Sequence, residues 1–283
     1  MKTGLVLEGG AVRTVYSCGV TDCFLKNGID FNYVLGVSAG MAYGVSYLSR
    51  QYGRNLEILT KYVNDRRYMG WRNMLRPGNR HCYFGLQFGF VDIPNRLVPF
   101  DYGAFARWPG LAEAEVTDLA TGQAAYFPML PDDPNTELLQ ATCAMPLLFP
   151  IEDIGGIRCL DGGCAEPVPW QRAFDMGCDR VVVVLTRERE YRRKTESTQR
   201  LIEQVYRRYP NFVETMRTRA ERSNRSREEL FRLEREGRAF VLCPDDTRGF
   251  SRTERDVNKI RALWQQGFDH AGARMDALRE YLS

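Results

Sequence analysis

The chain has 283 residues, 44% of them hydrophobic and 27% charged, and its 39 Lys+Arg and 36 Asp+Glu leave a formal net charge of +3. That length suits one large domain, or a domain with an appended piece, and the composition is that of a soluble globular protein. So small a net charge does not by itself argue for a nucleic-acid partner. The cysteines Cys18, Cys23, Cys82, Cys143, Cys159, Cys164, Cys178 and Cys243 are irregularly spaced and form no C-x-x-C pair, which excludes the usual zinc and iron–sulfur patterns. They read as small buried hydrophobes with reduced thiols, and no metal or other cofactor is expected. The apolar run Leu5-Val6-Leu7 before Glu8 is too short for a signal-peptide core. No apolar stretch long enough for a membrane span is present. The expected location is the cytoplasm, with peripheral contact at the inner membrane face.

In chain order, residues 3–9 (TGLVLEG) read as a buried strand and 13–28 as a helix stopped by Asn27-Gly28. Residues 32–37 (NYVLGV) form the second strand, 39–50 a helix rich in small residues that can pack close to a sheet, and 54–67 a third helix. This β-α-β-α opening predicts a parallel sheet with covering helices. Residues 76–105, rich in Gly, Pro and aromatics, read as an irregular cap segment. Alternation over 114–129 around Thr121-Gly122 predicts a β-hairpin. A helix is expected over 135–145, ended by Pro146, then a strand over 157–163, a helix over 170–177 and a strand over 179–186 that is apolar on both faces. From Arg187 to Arg238 the chain turns arginine-rich and helical; residues 240–244 read as a last strand, and 251–283 as a helical pair broken at Gly267. The expected organisation is an α/β domain over 1–250, carrying the arginine-rich segment 187–238, with a C-terminal helical extension over 251–283 packed on it.

The strand-to-helix junction Gly36-Val37-Ser38-Ala39-Gly40 has the G-x-S-x-G spacing of a nucleophile elbow. A chain that reverses so sharply holds its apex residue at strained dihedrals, usually with φ > 0. Gly36 and Gly40 remove Cβ atoms that would collide across the turn. The apex hydroxyl then sits at a helix N-terminus, where free N–H groups and the macrodipole favour negative charge. A serine so placed is suited to nucleophilic attack, because alkoxide and tetrahedral adduct are both stabilised. At the end of the first strand, Gly9-Gly10-Ala11 offers consecutive N–H groups with little side-chain bulk, an anion-binding nest, with Arg13 able to hold the loop or meet a phosphate. Neither a dinucleotide fingerprint nor a P-loop is present. For the base, His81 lies in an irregular segment and His270 in the last helical pair, and both read as surface or packing histidines. Asp161 stands at a predicted strand end before Gly162-Gly163, which permit close approach of another segment. With the two earlier motifs it makes a candidate Ser–Asp dyad.

The ordered motifs GLVLEGGAVR, GVSAG and LDGG, with ATCAMPLLFP between the last two, resemble the patatin-like phospholipases over roughly residues 4–186, continuing into FVLCP. The tail at 251–283 resembles the helical extension of a bacterial subgroup. The resemblance implies a three-layer α/β/α fold with a mostly parallel sheet and a Ser–Asp dyad that works without histidine. Ser38 would accept the acyl group and Asp161 its proton. The amides of Gly9, Gly10 and Ala11 would hold the oxyanion, with Arg13, Gly36, Gly40, Gly162 and Gly163 in support. One departure is Ala11, where the family usually has a third glycine. Either Ala11 keeps φ negative or the hole is altered, since φ > 0 costs a non-glycine residue about 1 kcal/mol or more. An α/β-hydrolase order of Ser38, Asp161 and His270 is rejected because too few strands precede the elbow.

The expected activity is hydrolysis of carboxylic esters of lipids through an acyl-enzyme. The alternative is a non-catalytic lipid-binding or regulatory protein on the same scaffold. The segments 83–94 and 145–150 are candidate walls for an apolar trough. Leu201, Ile202, Val205, Tyr206, Phe212, Val213 and Met216 recur at helical spacing, an amphipathic pattern that with the neighbouring arginines suits an anionic membrane surface, but solvated charged helices are the commoner explanation of such a stretch. No nucleic-acid partner is expected, because those arginines alternate with glutamates. Lipid class and oligomeric state are not legible.

Overall fold

Both faces of the first strand are apolar, so both need cover, and the rest of the chain supplies it. A computed structural model describes residues 1–131 and 136–283. It opens with β1 (Thr3–Leu7), a 3-10 turn (Ala11–Thr14), α1 (Val15–Lys26), β2 (Tyr33–Val37), α2 (Ala39–Leu48) and α3 (Arg54–Tyr62). The short α4 (Trp71–Met74), a π-helical segment (Gln87–Leu97) and α5 (Tyr102–Arg107) lead to the hairpin β3 (Leu111–Asp118) and β4 (Ala124–Pro128). Then come α6 (Glu137–Thr142), β5 (Glu152–Ile154), β6 (Ile157–Asp161), α7 (Trp170–Asp175) and β7 (Arg180–Val184). The chain ends with α8 (Gln199–Val205), α9 (Pro210–Arg235), β8 (Ala239–Leu242), α10 (Val257–Ala273) and α11 (Met275–Leu282).

The sheet runs β5-β6-β3-β2-β1-β7-β8, with β4 on the free edge of β3. Strands β3, β2, β1, β7 and β8 are parallel, and β4, β5 and β6 pair antiparallel. Side chains alternate between two cores: Leu5, Leu7, Val182 and Val184 enter one, Val6, Val181 and Val183 the other. Helices α1, α2 and α10 cover the first face; α7 and α9 cover the second. The result is a three-layer α/β/α fold with a mostly parallel sheet and extra C-terminal helices, as expected.

Several local expectations change. The strand ending at Asp161 joins antiparallel, and β5 before it went unread. Residues 87–97 are helical rather than irregular, because Phe88 and Ile93 bury against Ile58 and Val98 and tertiary packing overrides a Gly- and Pro-rich composition. The helix expected over 135–145 is found as α6; its first residue, Asn135, lies outside the described residues. The break expected at Gly267 does not occur: α10 runs through it, and the chain turns at Arg274. Gly267 is a contact residue, since a Cβ there would lie 2.1 Å from the Tyr16 carbonyl oxygen. Gly19 answers it from α1, where a Cβ would lie 1.9 Å from the Trp264 carbonyl. The two helices cross backbone to backbone, so the extension is built into the layer that covers β1. All eight cysteines are free and six are buried.

Candidate active site

Strand register brings Ser38 and Asp161 together. β2 pairs with β3 up to Val37↔Glu115, and β6 pairs with β3 from Asp161↔Val116 onward. Val116 and Thr117 also pair with β4, so β6 must lie on the edge that β2 vacates. Ser38, the residue after Val37, therefore meets the last residue of β6 across one rung of β3.

Ser38 has φ 56° and ψ −132°, the strained apex expected of the elbow. The guarding glycines serve close approach rather than unusual dihedrals. A Cβ on Gly36 would lie 2.6 Å from Met41 Cα across the turn, and one on Gly40 would lie 2.2 Å from the Leu7 carbonyl oxygen on β1. The elbow is pinned by Thr142 of α6, whose Oγ1 accepts from Ser38 N–H at 2.8 Å and donates to the Glu115 carbonyl at 2.6 Å. Nothing in the sequence marks Thr142, since a lone threonine on a helix has no signature and its partners lie far away in the chain.

Asp161 is 6% exposed. Its Oδ1 accepts from Gly163 N–H at 2.8 Å, and its carbonyl accepts from Thr117 Oγ1 at 2.8 Å. Burial pushes its carboxyl above the ordinary aspartate range; hydrogen bonding from Ser38, the charge of Arg219, the Gly163 amide and the charge of Arg252 hold the rise back. Gly162 is required where it stands, because a Cβ would fall 2.4 Å from the Glu115 carbonyl oxygen. The Ser38 hydroxyl also reaches Cys143, whose thiol is kept protonated chiefly by burial.

The glycine loop lies directly on the elbow: a Cβ on Gly9 would sit 2.7 Å from Ser38 Cβ. The N–H groups of Gly9, Gly10 and Ala11 have no hydrogen-bond partner among the described residues. Ala11 adopts φ 50°, so the usual glycine conformation is kept and the strain is borne. Arg13 follows in the 3-10 turn, with its Nε buried and unpartnered. His81 bonds the Met74 carbonyl, and His270 bonds Tyr16 Oη at 3.1 Å and lies 3.3 Å from Asp245. Among the described residues neither histidine contacts Ser38 or Asp161, and no cluster of His, Cys, Asp or Glu could hold a metal.

An apolar cavity of about 150 Å³ opens beside Ser38, between Ala11, Val12 and Tyr43. Both proposed wall segments line it, through Phe84, Phe90, Ile93 and Pro94 and through Met145 and Phe149. The arginine-rich helices do something the sequence does not announce. Arg219 donates to the Gly163 carbonyl at 2.7 Å, and Arg222 caps the carbonyls of Cys164 and Ala165, so α9 clamps the loop that follows Asp161. The apolar stripe that offered a membrane-facing surface is mostly internal: Ile202, Tyr206, Phe212, Val213 and Met216 pack with Leu160 and Phe149, leaving Leu201 and Val205 exposed.

A mixed sheet with a serine elbow and a buried aspartate beside it defines a class. The patatin-like phospholipase family model matches residues 5–174, and the chain belongs to that family. A model for a domain of unknown function, DUF6363, matches residues 209–283. Among curated proteins, the uncharacterized protein YjjU of Escherichia coli K12 is 26% identical over 190 residues, 65% of this chain and 52% of YjjU, so the chain spans about half of that relative. Among solved structures, VipD from Legionella pneumophila superposes with a TM-score of 0.52 at 14% identity, over 98% of this chain and 67% of VipD, a likeness of fold. No helix among the described residues is long and apolar enough to cross a membrane.

Proposed function

We propose that the protein is a serine acyl hydrolase of the lipase or phospholipase A type, acting on carboxylic esters of lipids. One observation carries this: a strained serine hydroxyl at the head of a helix stands beside a buried carboxylate, over an apolar cavity. Ser38 Oγ attacks the ester carbonyl while Asp161 takes its proton. The carbonyl oxygen, now negative, is met by the free amides of the Gly9–Ala11 loop. Asp161 returns the proton to the departing alcohol, leaving the acyl group on Ser38 with its chain in the cavity. Water, deprotonated by Asp161, then releases the fatty acid and restores the serine. No histidine is needed, because a carboxyl pushed up by burial is a better proton acceptor than an exposed one.

Fluorophosphonate labelling tests the nucleophile. Wild type labels and Ser38→Ala does not; Asp161→Asn lowers kcat by roughly a thousandfold or more, and His270→Ala stays within about twofold. Labelling that survives in Ser38→Ala, or activity lost in His270→Ala, overturns the dyad. A chain that hydrolyses no ester yet binds lipid supports the non-catalytic alternative.

Peripheral contact with an anionic membrane belongs to the same proposal, on a different surface from the one the sequence suggested. Arg189, Arg217, Arg225 and Arg232 are matched by Glu234, Glu203, Glu221 and Glu229. Around α4, by contrast, Trp71 is 69% and Leu75 85% exposed, while Arg66, Arg72 and Arg76 are exposed and make no ion pair among the described residues. Trp71 stacks edge-on against Tyr83 at 5.2 Å, and Tyr83 against Phe84 at 5.4 Å, so an aromatic path runs from this patch to the cavity wall.

A further inference from the structure

Helix α2 builds one wall of the apolar cavity beside Ser38. Ser38 stands at its head, and Ala39, Ala42 and Val45 follow at helical spacing along the cavity. One residue beyond Val45, Ser46 Oγ accepts from Arg54 Nη1 at 3.0 Å, and Arg54 itself lines the cavity. The eight residues from Ser38 to Ser46 rise about 12 Å along the helix. A nucleophilic hydroxyl and a guanidinium therefore stand at opposite ends of one apolar wall. Arg54 is 7% exposed and makes no ion pair among the described residues. Its Nη2 donates to the Val98 carbonyl at 3.0 Å, its Cζ lies 5.3 Å from the centre of the Phe100 ring, and its Nε is buried without a partner. Burial pushes its pKa down to about 10, with Tyr102 and Glu57 opposing the fall, and Glu57 is itself held by Lys61 at 2.6 Å. Arg54 thus keeps its charge at neutral pH.

A buried cation is costly unless an anion joins it. A plain hydrocarbon chain gains nothing from a guanidinium in its cavity, and a leucine or methionine would fill the place without that cost. Of the five N–H donors that a guanidinium carries, Arg54 spends two, on Ser46 and Val98. The remaining donors suit a carboxylate, whose two oxygens match the guanidinium fork. We propose that Arg54 is a specificity-determining residue, and that the preferred substrate is an ester whose acyl chain ends in a carboxylate. The ester carbonyl lies at Ser38, the methylenes run along Ala39, Ala42 and Val45, and the terminal carboxylate meets Arg54. An extended chain gains roughly 1.2 Å per bond, as the polypeptide backbone does, so the span along α2 takes an acyl chain of about eight to ten carbons. Oxidative cleavage of an unsaturated acyl chain leaves an ester of this kind. The inference deepens the acyl-hydrolase proposal and rests on it for turnover; recognition of the carboxylate does not.

Two measurements test it. In the first, the nitrophenyl monoester of nonanedioic acid is compared with nitrophenyl nonanoate, which has the same chain length and ends in a methyl group. Wild type cleaves the acid-ended ester with a kcat/KM at least about tenfold higher, the scale of one hydrogen-bonded charge pair. Arg54→Gln loses that preference: its kcat/KM falls about tenfold more on the acid-ended ester than on the methyl-ended one, through KM, and Arg54→Lys keeps part of it. In the second, free nonanedioate is titrated by calorimetry into wild type, Ser38→Ala and Arg54→Gln. It binds wild type and Ser38→Ala, and Arg54→Gln weakens binding at least about tenfold. Should Arg54→Gln fail to fold, a chain-length series on wild type decides: a preference for the acid-ended ester that is greatest at about eight to ten carbons supports the proposal, and no preference at any length overturns it. Esters cleaved with no preference for the acid end, or equal losses on both in Arg54→Gln, overturn the proposal and leave the acyl hydrolase standing. Nonanedioate bound through Arg54 by a chain that cleaves neither ester retains this site and removes the acyl-hydrolase proposal.

Discussion

Ser38 and Ala11 both sit in the left-handed region, at φ 56° and 50°, and neither is glycine. For Ser38 the strain comes with a hydroxyl that glycine lacks. For Ala11 nothing is gained by the methyl, so Ala11→Gly is expected to relieve about 1–2 kcal/mol of strain. Glycine's freedom in the unfolded chain returns about 0.5–1 of that. The net effect is stabilisation of up to about 1.5 kcal/mol, read as a raised thermal midpoint; a lowered midpoint would mean the methyl packs usefully. Under the proposed chemistry Asp161 sets the pH response. There it must be ionised to take the serine proton, and burial raises its pKa, so activity is expected to fall as pH drops through a value above the ordinary range near 4. The sign for stability is opposite: the folded state holds that proton more tightly, so Asp161 costs stability above its folded pKa and nothing below the unfolded one. A kcat/KM profile flat down to pH 4 would contradict the assignment. The elbow was legible because its turn demands small residues at fixed offsets, and Asp161 because two glycines follow it. Thr142 was not, since its worth depends wholly on two distant backbone groups.

At the scale of elements, isolated glycines separate what spacing can tell from what it cannot. Gly267 has two meanings in a helix, a stop or a contact, and only the opposing backbone decides between them. Gly267→Ala drives a methyl into the Tyr16 carbonyl and is expected to cost roughly 2–3 kcal/mol in urea unfolding. Gly272→Ala is the control: its nearest neighbour would be Cys23 Sγ at 3.8 Å, and the better helix former gains up to about 1 kcal/mol. Equal stability of the two variants would remove the close crossing of α1 and α10 from the account. The antiparallel entry of β6 was equally hidden, because a short apolar strand reads the same in either direction. Charge runs mislead in another way. Arginines interleaved with glutamates suggest a solvated helix, yet Arg219 and Arg193 are largely covered and turned toward Asp161 and Glu196.

For the whole molecule, the proposed membrane contact through the patch around α4 has a testable form. The chain should bind anionic vesicles and be released by added salt, because exposed arginines contribute about 1 kcal/mol each at low ionic strength. The double change Trp71→Ala and Leu75→Ala should weaken sedimentation with vesicles at least tenfold, since each side chain contributes on the order of 1.5–3 kcal/mol when buried. Charge reversal in α9 should have little effect on that binding, and the opposite pattern would return the contact surface to the arginine-rich helices. The shared edge of β3 has a consequence in time as well as in space. Serine and carboxylate come from strands made far apart during synthesis, and they occupy neighbouring rungs only once β6 has docked. A chain still emerging from the ribosome carries the elbow without Asp161 beside it. Under the proposed chemistry, the newborn protein is therefore harmless to the lipids around it until its sheet has closed.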